Sequence, residues 1–580
     1  MVRSSFLEVL PQVLAVSVKN IVLIGFGMTL GFPTVLISSL KNHDDDLEND
    51  GLSLNKEQIS WISSLNLICV PLGCIFSGSF ATFIGRRRAM QLVNVPIFIS
   101  WIIFFYSQHV YQLYIALAIS GITGGMLEAP VLTYVAEITV PKIRGLLAAS
   151  GSTCIILGIF SQFIMITFLN WRIITLVSSA VPILAIILLF FVPESPHWLI
   201  MKKRDEEAKI SIMWLRGWET SFDNVRKEYE DLHENLTIVR NEKPSFKSNL
   251  QEFGRRTFIL PYAICSLSFF IGHFSGMTTL QTYSVIIFTD LNAPMDKRLA
   301  TSILGALEFI GTLICVVFVN FVGKRKLAFV STIGCGVCFL LTAIYSIVIK
   351  HIEVPTSNSF NLTNLELENA TAFHESLLES EILIQNETML GLDQDSTIDG
   401  CNQYYWIPLT LLLLSALLSH SGIRLLPWIL VGEIYPAKIR GVSSGLSGGT
   451  GYIFGFLANK LFLSMITWFT LSGTFIIYSC VSFVGCAILF FFLPETENRT
   501  LQEIEDHFAG KKKLSRRLIK RSTTIPDTFP KDFNVKNWES NEKFEKYLEQ
   551  VKHQKKNHQR VVKTKAEIIK CNECDYDTRL

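Results

Sequence analysis

"GEIYPAKIRG", residues 432–441, closes a long apolar run, and residues 136–145, "AEITVPKIRG", close an earlier one in nearly the same words. A charged phrase written twice, each time where an apolar run meets water, predicts an internal repeat. Working outward from these anchors, runs of membrane-crossing length cover 12–38, 58–82, 89–107, 111–137, 146–168 and 172–192, then 257–288, 299–322, 327–349, 403–431, 442–465 and 468–493. The phrase closes the fourth run of each set of six. The expected fold is an all-α membrane protein with twelve transmembrane helices in two pseudo-symmetric six-helix bundles, related by an axis along the membrane normal. Composition agrees, since 49% hydrophobic residues over 580 positions, with mean hydropathy +0.36, is too apolar for a soluble chain of this length.

The division that follows is an N-terminal bundle (1–192), a cytoplasmic linker with short amphipathic helices (193–255), a C-terminal bundle (256–507) and a basic, largely disordered cytoplasmic tail (508–580). No charged n-region with a small-residue cleavage site precedes the first run, which reads as a retained helix. The net charge of +2 hides an asymmetry. "GRRRAM", "GKRKLA" and "MKKRDEEAK" fall on one side of the runs and "HDDDLENDG" on the other. The positive-inside rule then makes both termini cytoplasmic in a multi-pass protein, expected in the plasma membrane. The acidic loop 350–402 would lie outside, where its sequons at Asn361, Asn369 and Asn386 are open to glycosylation; those at Asn235 and Asn498 face the cytoplasm and should stay bare. Most of the twelve cysteines stand singly within runs, such as Cys69, Cys154, Cys315 and Cys486, as small apolar residues and not as a disulfide framework.

Glu137, Arg144, Glu433 and Arg440 fall at the cytoplasmic edge, within reach of Arg86, Arg87, Lys324 and Arg325. The expectation is a charge latch that joins when that side closes and separates when it opens, biasing a two-state equilibrium by a few kcal/mol. A plainer reading is that these charges only fix topology, but topology alone does not call for the paired glutamates.

"YVAEITVPKIRG" (134–145), "PESPHWL" (193–199), "GEIYPAKIRG" and "PETENRTLQEI" (494–504), with "SWISSL" (60–65) and "WLRG" (214–217), together resemble the sugar porter family of the major facilitator superfamily. The similarity is greatest to insect facilitated trehalose transporters and animal facilitative glucose transporters, and it spans roughly 10–510. It implies the major facilitator fold, a central substrate site, alternating access by rocking, and a place for Glu194 and Glu495 in the cytoplasmic gate. Departures from the family pattern are marked. "GSFATFIGRRR" (78–88) and "NFVGKRK" (320–326) carry Thr82, Phe83, Asn320 and Phe321 where an acid and a base are usual. In the seventh run "GHFSGMT" has Gly272 and His273 for a glutamine pair and Thr278 for an asparagine. Ser152 stands for a glutamine and Gly451 for an asparagine, while "GIRLLPW" keeps Pro427 and Trp428 but has Arg424 and Leu425 for Gly and Pro. A carrier must replace the water around sugar hydroxyls with fixed amides and hydroxyls, so these losses weaken the hexose reading. Tyr283 and Trp428 would still supply aromatic faces.

Glu128 and Arg424 lie equally far ahead of Glu137 and Glu433, about 13–14 Å along the helix, and hence near mid-membrane. Exposed to lipid, either charge would cost at least about 2.5–3.5 kcal/mol. Two readings stand open: an ion pair across the substrate site, with His420 and His273 close by, or separate satisfaction of each charge. "LGFPTVL" (30–36) has Pro33 where sugar–proton symporters place an acid, so facilitated diffusion is favoured over a proton role for Glu128 and the histidines.

No nucleophile constellation, phosphate loop or catalytic carboxylate pair appears, so an enzyme is not expected, and no cofactor or metal is called for. "KKKLSRRLIKR" (511–521) would attract anionic lipid. The terminal "DTRL", with Thr578 and Leu580, fits a PDZ groove, and Cys571 and Cys574 with His553 and His558 read as reduced thiols and solvated histidines more readily than as a zinc site. The function expected is facilitative transport of a hexose or trehalose. The alternatives are a non-sugar, anionic solute held at Arg424, or a transport-weak nutrient sensor signalling through the tail.

Overall fold

Inside a bilayer backbone N–H and C=O groups have no water to bond, so an apolar run of this length has one stable local form, the helix. The computed structural model describes residues 5–40, 52–241, 253–352, 405–436, 439–497, 499, 501–511 and 514, and the apolar runs fall on helices throughout. The first six crossings are α1 (Ser5–Leu40), α2 (Lys56–Ile84), α3 (Arg86–Tyr106), the broken pair α4 (Val110–Met126) and α5 (Glu128–Ile138), α6 (Pro141–Phe168) and α7 (Trp171–Leu189). Three short helices, α8 (Pro196–Met201), α9 (Asp205–Leu215) and α10 (Arg226–Asn241), follow in the linker. The second set comprises the pair α11 (Arg256–Phe274) and α12 (Met277–Asp290), α13 (Lys297–Val322), α14 (Lys324–Ile352), the pair α15 (Trp406–His420) and α16 (Leu426–Val431), and α17 (Arg440–Phe492), with α18 (Leu501–Phe508) beyond it. All described residues belong to one compact unit.

α17 is two crossings in one. Thr470 takes φ 63° inside it, and the chain reverses there. Ser447 and Phe490 lie at the end that carries the repeated phrase, bonded to Tyr435 and Arg325. Thr467 and Ser472 lie at the opposite end, bonded to Lys56 and Ser346. Counting it twice, and α15 with α16 as one, gives the expected twelve crossings among the described residues. The two faces are called the motif end and the far end below.

Lipid does not drive helices together as water does, so close backbone approach supplies much of the association. Gly73 of α2 and Gly125 of α4 meet in this way. A Cβ on Gly73 would lie 1.9 Å from the Ile122 carbonyl oxygen, and one on Gly125 2.0 Å from that of Val70. Gly27 of α1 and Gly158 of α6 repeat the arrangement against Ile155 and Ile24. Aromatic edges fill the wider gaps, as where Phe32 meets Trp101 and Phe104 at centroid distances of 5.0 and 4.7 Å.

Two helix breaks shape the centre. Between α11 and α12, Gly276 adopts φ +93°, and a Cβ there would come within 2.5 Å of the Tyr478 ring. Between α15 and α16 the helix opens over 421–425, ahead of Pro427. Asn361, Asn369 and Asn386, nearly all of 511–521, the cysteine pair and the C-terminal tetrapeptide lie outside the described residues.

Candidate solute site and its two ends

At the motif end the repeat builds one socket twice. Gly85 (φ 111°) and Gly323 (φ 88°) turn the chain into α3 and α14, exposing the unpaired N–H groups of each helix start. Glu194 accepts from the backbone of Arg86 and Arg87, both at 2.9 Å. Glu495 accepts from Lys324 and Arg325 at 3.3 and 3.2 Å. A carboxylate there satisfies the donors and meets the positive end of the helix dipole. Arg86 then reaches Glu137 at 2.9 Å, and the Ser195 hydroxyl donates to the same carboxylate. The counterpart is Lys324 on Glu433 at 2.6 Å with Thr496 donating at 3.1 Å. "PES" and "PET" are therefore equivalent pieces of local structure.

In this state, closed at the far end, the expected latch is not joined among the described residues. The described pairs form within each bundle, not between bundles. Arg87 donates to Val192 O, exposed Arg144 to Thr139 O, and Arg325 to Phe490 O. Each glutamate meets a helix start or a base of its own bundle in this state. Arg440 opens α17, its side chain outside the described residues. The linker is tied on beside the first socket: Arg216 pairs with Glu228 at 2.6 Å and donates to Ile138 O at 3.2 Å. A cavity of about 140 Å³ opens there, lined in part by Glu137, Arg144, His197 and Glu228. His197 Nδ1 is buried without a partner, and burial holds this imidazole below its usual pKa while Glu137 pulls the other way.

At the far end the hydrogen bonds between the two bundles gather. The Ser63 and Tyr283 hydroxyls lie 2.6 Å apart, and Tyr283 donates to Asn459 O at 3.1 Å. Asn459 Nδ2 donates to Ser63 O at 2.9 Å, and Thr34 to Gln281 O at 3.1 Å. Lys56 reaches Thr467, Ser60 reaches Lys460 O, and Thr167 meets Ser302. Tyr283, expected as an aromatic wall for solute, is in this state wholly buried in the seal with its ring on Phe462. At the motif end, by contrast, Cβ positions on Gly78, Gly145 and Gly441 face open space. This is a state closed at the far end.

Between the ends, Arg424 stands in the α15–α16 break and reaches into the α11–α12 break. Its Nη1 donates to Thr278 Oγ1 at 2.8 Å, His273 Nδ1 at 3.0 Å and Gly272 O at 3.4 Å. A guanidinium only donates, so Nδ1 of His273 is the acceptor. The sequence thus placed Arg424, His273 and Thr278 in one site, and they do come together. No direct ion pair joins Arg424 to Glu128 among the described residues, and of the two open readings this state fits separate satisfaction of each charge. Glu128 looks instead toward Gly448, where a Cβ would lie 4.0 Å from its Oε1. Tyr452 lies within electrostatic range of both charges, and its ring packs on Trp428 at 5.5 Å. Trp428 also meets Phe269 edge-on. Ser152, half-buried on α6, shares no hydrogen bond with the cluster among the described residues.

The acid within electrostatic range of Arg424 is Glu308 of α13, fully buried and not ion-paired with it among the described residues, which sequence reading passed over. Gln281 donates to its Oε2 at 2.8 Å, while Oε1 has no hydrogen-bond partner among the described residues. His420 packs alongside, since a Cβ on Gly311 of α13 would lie 3.1 Å from its Cβ. Lys19 of α1 was passed over too: it is 1% exposed, with its ammonium against Gly151 of α6. The signal for both was plain enough, a charge inside a run that length alone had classified as apolar.

The pattern is that of a membrane carrier, and comparison with known proteins agrees. The family model for "Sugar (and other) transporter" matches residues 18–362 and 399–508, and the chain belongs to that family. It is 26% identical over 485 residues to the facilitated trehalose transporter Tret1 of Bombyx mori, covering 82% of this chain and 84% of that one. Against the Tret1 of Apis mellifera ligustica it is 25% identical, with 90% and 91% covered. The Aedes aegypti Tret1 is longer, and the chain spans 56% of its length at 23% identity. Among solved structures the fold matches the proton:xylose symporter XylE bound to 6-bromo-6-deoxy-D-glucose at 17% identity, with a TM-score of 0.59 and 86% and 99% covered. The inward-open xylose transporter XylE from E. coli matches equally, at 18% identity and TM-score 0.59, with 85% and 98% covered. The protein is a multi-pass membrane transporter and not an enzyme.

Proposed function

We propose that the protein carries a hexose or trehalose across the plasma membrane by alternating access, the bundles 1–192 and 256–507 rocking about a site near Arg424, His273 and Thr278. The observation that supports this reading most is the chemistry of the far-end seal. Thr34, Ser63, Tyr283 and Asn459 are hydroxyls and an amide, the groups that replace water around a polyhydroxylated solute. The motif end is the cytoplasmic one, from the basic residues that flank it. An anionic solute is the second reading, favoured by Arg424 at the centre. Glu308 stands against it, because the arginine already lies within electrostatic range of a buried acid. Uptake of labelled glucose and trehalose into proteoliposomes tests the choice. Saturable uptake of either supports the sugar reading. No uptake of either by correctly folded protein overturns it and moves the assay to carboxylate solutes.

A further inference from the structure

Facilitated diffusion was expected because the first crossing has Pro33 where sugar–proton symporters place an acid. The eighth crossing has one, and its surroundings are those of a working group. Glu308 is fully buried on α13, and among the described residues a single amide donor serves Oε2 and Oε1 is bare. A buried structural carboxylate is ordinarily surrounded by donors to both oxygens. The charged and titratable groups around it are Arg424 of the α15–α16 break, within electrostatic range, His420 of α15, packed on Gly311 one turn away, and His273 of α11, bonded to Arg424. The polar group from α12 is Gln281, and α6 offers the rings of Phe160 and Phe163, which contact Gly305 one turn away.

Resting on the carrier reading above, we propose that Glu308 is a proton-binding site and that solute movement through this carrier is coupled to a proton. The carboxylate takes the proton at Oε1 from the side then open and releases it to the other; nothing else is consumed. Two connections make proton occupancy matter to the whole molecule. As an ion, Glu308 balances Arg424, whose hydrogen bonds go to neutral acceptors on the α11–α12 break. As a neutral acid it withdraws that balance, so the arginine's hold on the two breaks depends on the proton. The second connection is Gln281. Its side chain bonds Glu308, its backbone oxygen accepts from Thr34 across the bundles, and the next two residues, Thr282 and Tyr283, belong to the seal. Site and far-end closure thus share one short segment of α12.

The test uses purified full-length protein in proteoliposomes. Counterflow of labelled glucose or trehalose without a pH gradient asks only whether the carrier reading holds. A gradient of one pH unit then drives accumulation of up to about tenfold for one proton per sugar. Glu308→Gln, nearly the same shape, should abolish that accumulation. Wild-type flux that ignores the gradient, or accumulation that survives in Glu308→Gln, would overturn the proposal. If neither sugar shows counterflow, the sugar reading fails separately, and infrared difference spectra between acid and alkaline buffer still decide. A protonated-carboxyl band lost in Glu308→Gln supports the site, and identical spectra for the two proteins refute it.

Discussion

Tyr283→Phe isolates what holds the far end shut. The ring keeps its volume, its burial and its contact with Phe462, at 4.7 Å between centroids, so folding is not in question. Only the hydroxyl goes, and with it the 2.6 Å contact with Ser63 and the 3.1 Å bond to Asn459 O. Each such bond is worth about 0.5–1.5 kcal/mol net, so the closed state loses about 1–3 kcal/mol relative to one in which water reaches these groups. That shifts the balance toward far-end opening by about 5- to 150-fold. The assay is labelling of Ser60→Cys by a membrane-impermeant maleimide, in both backgrounds and read against each parent without the added thiol. Ser60 is buried in the closed state and bonds Lys460 O across the bundles, so its labelling rate follows the open population. A rise of several-fold in Tyr283→Phe is expected. Equal rates in the two backgrounds would refute the argument that this hydroxyl closes the far end.

Three further outcomes follow from the geometry. Glu194→Gln and Glu495→Gln should each lower the melting temperature by a few degrees, since each removes a charge from a helix start worth up to about 2 kcal/mol; unchanged melting in both would sink the paired-socket reading. Because burial lowers the pKa of His197 from 6.5, the unfolded chain takes up the proton first as the pH falls. Stability should therefore be full above that value and be lost as the pH drops toward the lower native pKa. His197→Gln should flatten that part of a melting-against-pH curve, and superimposable curves would rule the linkage out. Gly73→Leu should fail to give monodisperse protein on size exclusion, because its Cβ collides with the Ile122 carbonyl, whereas Gly78→Leu, with nothing within 4 Å, should behave as wild type. Failure of both or of neither would show that helix contact is not the cause.

The crossings were legible because lipid leaves long apolar runs one way to fold, and the sockets were half legible because the repeated phrase marks both. Their partners were not. Spacing along the chain says that Glu137 and Glu433 are equivalent, but not that each finds a base of its own bundle at a helix start. The choice between the two readings of Glu128 and Arg424 was open for a related reason. Equal depth fixes height in the membrane and leaves direction open, and the α15–α16 break turns Arg424 toward Thr278 and His273. Glu308 escaped because one acid hardly dents the hydropathy of α13, whose run reads "TSILGALEFIGT" around it. Tyr283 was expected to offer the solute an aromatic face, and its place in the seal was not legible. Its burial depends on Ser63 and Asn459, which are far away in sequence.

The far-end seal has a consequence for how firmly the carrier can hold its cargo. Thr34, Ser63, Tyr283 and Asn459 close the door with hydroxyl and amide groups, and if the cargo is the sugar proposed above, it would offer groups of the same kind on arriving from that side. Cargo and door are then rivals for the same partners. Binding on that side yields only the difference between two similar sets of bonds, because each contact the sugar makes replaces one the protein was making with itself. The grip is modest by construction, and a modest grip releases quickly, which favours turnover over tight capture.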